Sequence, residues 1–183
     1  MKTIVIFSLY FILGIFSIFA QEAGKYRAGV EIGYPFPPDK SYEGVLVAIE
    51  LKYNLLNNMN VGLKAENAYY AECMCNYGNI SSFATTYDYY FHSTGSRSSF
   101  FIGAGLGYYF CTARDFHFIE DGYFVSRYNN PTCFIRAGFE IRRFRMSLAY
   151  NLIRKPSEIN PTNWNRDYVS LSMGFYFGGG KWK

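Results

Sequence analysis

Residues 24–34 read GKYRAGVEIGY, with Lys25, Arg27 and Glu31 alternating against Tyr26, Ala28, Val30, Ile32 and Tyr34. A period of two over this length is a β-strand with chemically different faces. One strand does not say which face is inside, so the answer has to come from the remainder of the chain.

The same alternation recurs, and no convincing helical period interrupts it. Eight strands are expected, over residues 24–34, 44–55, 60–71, 82–92, 99–110, 133–142, 145–153 and 167–177. Eight is a number that closes a barrel. The connections also keep a rhythm. Those after the first, third, fifth and seventh strands are long: PFPPDKSYE, ECMCNYGNIS, residues 111–132, and RKPSEINPTNWNR. Those after the second, fourth and sixth are short: LNNM, STGSRS and the pair Arg143 and Phe144. Short turns at one end and long loops at the other mark a transmembrane barrel, with turns in the periplasm and loops outside the cell. The fold class expected is therefore all-β, an eight-stranded antiparallel up-and-down transmembrane β-barrel.

Sorting each strand by parity settles the orientation. One face carries fifteen aromatic side chains and no glycine; the other carries Gly29, Gly33, Gly44, Gly62, Gly103, Gly105, Gly107, Gly138 and Gly174. An eight-stranded barrel is only wide enough for ordinary side chains to fill it, so fifteen rings do not fit inside. The glycine face also holds Lys25, Arg27, Glu31, Glu50, Lys52, Lys64, Glu66, Asp88, Arg136, Glu140, Arg142 and Arg145. Facing lipid, each Lys or Arg near the midplane would cost about 2–4 kcal/mol; facing the lumen, the charges can pair. These residues are expected to form a lumenal charge network. Leu46 and Phe134 on the lumenal face, and Asn67 and Thr85 on the lipid face, are exceptions to the pattern.

The ends and the composition agree with export. Lys2 followed by the apolar run Ile4 to Phe19, with Ala20 before Gln21, reads as a cleaved signal peptide over residues 1–20. Residues 21–183 are left as a single barrel domain. A net charge of +4 gives no reason to expect nucleic acid as a partner. The aromatic share, 21%, exceeds what a soluble core of this size needs, and lipid is the partner that accounts for it.

On this pattern the sequence resembles the small eight-stranded outer-membrane barrels of Gram-negative bacteria, the OmpX/OmpA type, in GAGLGYYF of the fifth strand and YVSLSMGFYF of the last. The closing GGGKWK departs from the terminal phenylalanine common in that group, so Phe177 would take its part in insertion. Such a tail is similar to that of the outer-membrane β-barrel proteins of the Bacteroidetes. The resemblance implies an outer-membrane location.

Few residues suggest chemistry. Cys73, Cys75, Cys111 and Cys133 fall at the long-loop ends of their strands, and a disulfide between Cys111 and Cys133 is expected across the longest loop in an oxidising compartment. Parity opposes it, since Cys111 extends the lumenal face and Cys133 the lipid face; a bulge would be needed. Within that loop RDFHFIEDGYFVSRY has Asp121 and Gly122 between two aromatic arms, a hairpin signal. Strands five and six are expected to continue as a protruding ribbon, with Phe116, Phe118, Tyr123 and Phe124 as interaction residues. His92 with Ser93 lacks a matching carboxylate, so no catalytic residues, metal site or cofactor are expected. The function expected is a structural or surface-interaction protein whose outer loops meet a protein or host-surface partner. The alternatives are a small-solute outer-membrane channel or transporter and a soluble lipocalin-like binding barrel.

Overall fold

The computed structural model describes residues 22–36, 42–72, 76–91, 98–117, 122–153 and 167–179. They form eight strands: β1 (Tyr26–Phe36), β2 (Tyr42–Leu56), β3 (Met59–Glu72), β4 (Asn76–Phe91), β5 (Ser98–His117), β6 (Gly122–Ile141), β7 (Phe144–Ile153) and β8 (Tyr168–Gly178). Each pairs antiparallel with the next, and β8 returns to β1 to close the barrel. Within the closed ring no edge is open, so the strand backbones there satisfy one another without water; over Gly122–Pro131 β6 pairs with β5 alone among the described strands.

Parity decides burial along every strand. Val30, Ile49, Leu63, Phe83, Leu106, Ile135 and Phe175 point outward and are each more than half exposed. Their sequence neighbours of opposite parity, among them Glu31, Glu50, Lys64 and Arg136, are buried inside. A wall that is apolar outside and charged inside is suited to hydrocarbon surroundings rather than to water. The soluble lipocalin-like alternative, which needs the aromatic face inside, is at odds with this arrangement.

One expected loop is mostly strand, and strands five and six continue as the expected ribbon. β3 runs to Glu72 and β4 begins at Asn76, so ECMCNYGNIS is paired on both arms. β5 and β6 reach 20 residues each and stay in register from Ser98 opposite Ile141 to His117 opposite Gly122. Continuing the ladder satisfies backbone groups that an irregular loop would have to leave to solvent. In β1, Pro35 sits where the strand has left the β2 ladder and pairs only with β8, a position that tolerates its missing N–H.

Two charges expected in the lumen are outside it. Lys25 precedes β1 and is exposed. Arg142 is exposed in the β6–β7 turn with φ of 56°, a left-handed turn conformation. Both keep the lumenal parity, but the strand has ended before it can turn them inward.

Candidate functional site

Among the described residues the charged and polar side chains concentrate in the lumen, which is stratified. Toward the short-turn end, five cations (Arg27, Lys52, Lys64, Arg136, Arg145) face five anions (Glu31, Glu50, Glu66, Asp88, Glu140), all buried. Among the described residues the interior is thus balanced in formal charge, where the sequence suggests a cationic excess. Removing Lys25 and Arg142 from the set accounts for the difference.

Asp88, on β4, is the hub. Arg136 Nε donates to its Oδ1 at 2.8 Å and Arg136 Nη2 to its Oδ2 at 3.0 Å. Arg145 donates to the same Oδ2 through both terminal nitrogens at 3.2 Å, and Lys52 Nζ also reaches it. One carboxylate on β4 therefore ties together β2, β6 and β7 across the lumen. Glu50 forms a second node, accepting from Arg136 Nη2 at 2.6 Å and from Thr86 Oγ1 at 2.6 Å. The Tyr176 hydroxyl lies 2.5 Å from Glu50 and 2.7 Å from Glu31, and its single proton serves one of them at a time.

Peripheral pairs complete the layer. Arg27 pairs with Glu140, whose other oxygen accepts from Tyr90 at 3.0 Å. Lys64 pairs with Glu66 at 2.5 Å, and Tyr168 donates to Glu66 at 2.7 Å. Such an array is stable only when nearly every charge has partners, because a stranded buried ion is costly.

Toward the long-connection end the lumen changes character. Leu46, Ala48, Ala68, Cys111 and Ile153 pack with Tyr109 and Tyr168 into an apolar cluster. Leu46, an exception in the sequence pattern, belongs to this cap. Phe134, the other inward exception, lies between cations, with Lys64 Nζ and Arg136 Cζ each 5.6 Å from its ring centre.

Sequence reasoning missed the lumenal rings. Tyr90, Phe101, Tyr109, Tyr168 and Tyr176 are nearly fully buried inside the barrel. Parity already placed them there, and a second signal was available: Tyr176 lies directly opposite Gly29, Phe134 opposite Gly105, and Phe101 opposite Gly138. A Cβ on Gly29 would meet the Tyr176 ring at about 2.5 Å, so each of these rings occupies the space that a glycine leaves. The ring of Phe101 in turn carries the Arg145 guanidinium 3.7 Å from its centre.

The expected disulfide is not formed. Cys111 lies opposite Tyr128 and Cys133 opposite Leu106, about 17 Å apart along the ladder at 3.4 Å per residue. Cys111 is buried in the lumen while Cys133 is half-buried on the other face, so no local bulge could join them. Cys73, Cys75, His92 and Ser93 lie outside the described residues, as does Phe118. The ribbon register sets Phe116 opposite Tyr123 and Asp115 opposite Phe124.

No family model and no curated protein matches the sequence. Solved structures do match the fold. Neisserial surface protein A is 16% identical with a TM-score of 0.60, over 85% of this chain and 97% of that one. The outer membrane enzyme PagL is 15% identical with a TM-score of 0.54, over 82% and 98%. Ail, the attachment invasion locus protein of Yersinia pestis, is 12% identical with a TM-score of 0.51, over 85% and 99%. The chain has the fold of the small eight-stranded outer-membrane barrels. One such fold carries a surface protein, an enzyme and an attachment protein, so function has to be argued from this chain's own residues.

Proposed function

We propose that this chain is an integral outer-membrane protein, exported by residues 1–20, whose filled lumen is a rigid support and whose β5–β6 ribbon binds a partner beyond the membrane. The length of that ribbon carries the reading. A membrane-spanning strand needs about 9–11 residues, and β5 and β6 have 20 each. The excess amounts to roughly 30 Å of paired strand at 3.4 Å per residue. Over Gly122–Pro131 β6 pairs with β5 alone among the described strands, an edge to which a protein or host-surface ligand can add. Ail has also been solved with the heparin analogue sucrose octasulfate, which makes a sulfated glycan a sensible first bait beside surface proteins.

The test trims the ribbon while keeping its register, joining Thr112 to Arg127 through a short glycine-containing turn. The trimmed barrel is expected to keep its heat-dependent shift on a denaturing gel and to lose capture of heparin or the protein bait. Equal capture by both forms would place binding elsewhere.

The small-solute channel is disfavoured by the same interior. A path through the barrel would have to pass Lys52, Asp88, Tyr90 and Arg145, each at 1% exposure or less. Planar-bilayer recording is expected to show no steady unitary conductance.

A further inference from the structure

The outer wall is not uniformly convex. Across β4 to β8 it is indented by a groove of about 590 Å³, lined almost wholly by apolar atoms. Its depth comes from two small outward residues, Ala104 and Ala137, set diagonally between the bulkier Ile102 and Ile135. With so little side chain above it, the sheet backbone at Gly103, Arg136 and Ala149 forms part of the floor. Tyr87 and Tyr89 stand at one end and Tyr150 at the other.

We propose that this groove seats one acyl chain of a bilayer lipid as a fixed component of the folded barrel. The inference rests on the outer-membrane reading above. The occupant follows from three features. The groove is continuous with the apolar wall on both sides, so hydrocarbon is already what surrounds it. The gap at Ala104 and Ala137 is bounded by Ile102 and Ile135 on the same two strands, so it is a narrow recess and not a flat face. And one end is polar: the Tyr150 hydroxyl donates to Asp167 Oδ2 at 3.4 Å, while Asp167 Oδ1 accepts from Ile153 N at 2.9 Å. That end adjoins the long connection between β7 and β8, where the ester end of a lipid meets water.

Inside a membrane the hydrophobic effect does not separate one apolar site from another, since lipid tails are as apolar as leucine. Shape does. A void along Ala104 and Ala137 forfeits dispersion contacts that a flexible chain recovers. A second barrel would present a wall curving away on both sides, which fills a diagonal indentation poorly.

The test uses the wild-type chain refolded into dimyristoylphosphatidylcholine vesicles containing phosphatidylcholine with a diazirine on its acyl chain. After photolysis, adducts are mapped by mass spectrometry. Residues 102–104 and 135–137 are expected to carry about tenfold more label than Val30, Ile49 and Leu63, a ratio worth about 1.4 kcal/mol. Ala104→Phe with Ala137→Phe should abolish the enrichment, and Ala28→Phe should leave it unchanged. Labelling in proportion to exposure, or enrichment that survives filling of the groove, overturns the proposal. So does a crosslinked dimer that only the groove-filling variant loses, which would make the groove an interface between copies. Absence of label from every outward position would overturn the membrane reading itself, an outcome separate from even labelling.

Discussion

The two halves of the lumen do the same job with different physics. Around Asp88 the strands are held by ion pairs and hydrogen bonds among fully buried groups; around Leu46 they are held by apolar packing. The charged half depends on complete pairing, since its strength disappears if one partner is removed. The apolar half depends on volume, and it degrades in proportion to what is taken away. The barrel is closed inside by two independent devices, each open to separate attack.

The largest expected effect comes from breaking the hub. Asp88→Ala strands Lys52, Arg136 and Arg145 beside a missing carboxylate, and should lower stability by about 3–5 kcal/mol, read as a drop in the urea midpoint of the folded barrel. The pair Arg27 and Glu140 sharpens the point. Arg27→Met alone should be strongly destabilising, while Arg27→Met with Glu140→Leu should recover much of the loss, because replacing a whole buried pair leaves no orphan charge.

In the apolar half, Leu46→Ala should cost about 3 kcal/mol through the cavity it leaves. No second substitution of opposite charge should repair it, and restoring volume should. Smaller again is the ring seat. Gly105→Ala sets a methyl group against the Phe134 ring, an overpacking cost of about 1–3 kcal/mol. Phe134→Leu in the same chain should relieve part of it, so a double-mutant cycle in the same unfolding assay should give a coupling of opposite sign to the single effects. The smallest effect is expected at the rim. Lys25→Gln should change stability by no more than about 0.5 kcal/mol, which separates an exposed charge of lumenal parity from its buried neighbour Arg27.

Strand number, the in–out assignment and the ribbon were legible because each is a matter of parity and local turn chemistry. Arg27, Glu31, Asp88 and Arg145 are inward for the same reason as Gly29 or Gly103. Lys25 and Arg142 were misread because parity continues in the sequence beyond the point where the strand stops. The cysteine pair was misread because opposition across a hairpin depends on register, and the long in-register ribbon moves Cys111 and Cys133 well past each other. The apolar cap was hidden by treating Leu46 as an exception, when the exceptions mark a layer boundary inside the lumen. Which charge pairs with which was never a local property, since Asp88 draws its partners from three other strands.

In this barrel the face a soluble protein would bury is the outer one. An oxygen-accessibility scan by spin labelling along residues 169–177 of β8, in vesicles, tests it most directly. A period of two is expected, with high contact with oxygen dissolved in the lipid at Leu171, Met173 and Phe175 and low contact at Ser170, Ser172 and Gly174. The inverse period, or uniform exposure to a water-soluble nickel probe, would contradict it.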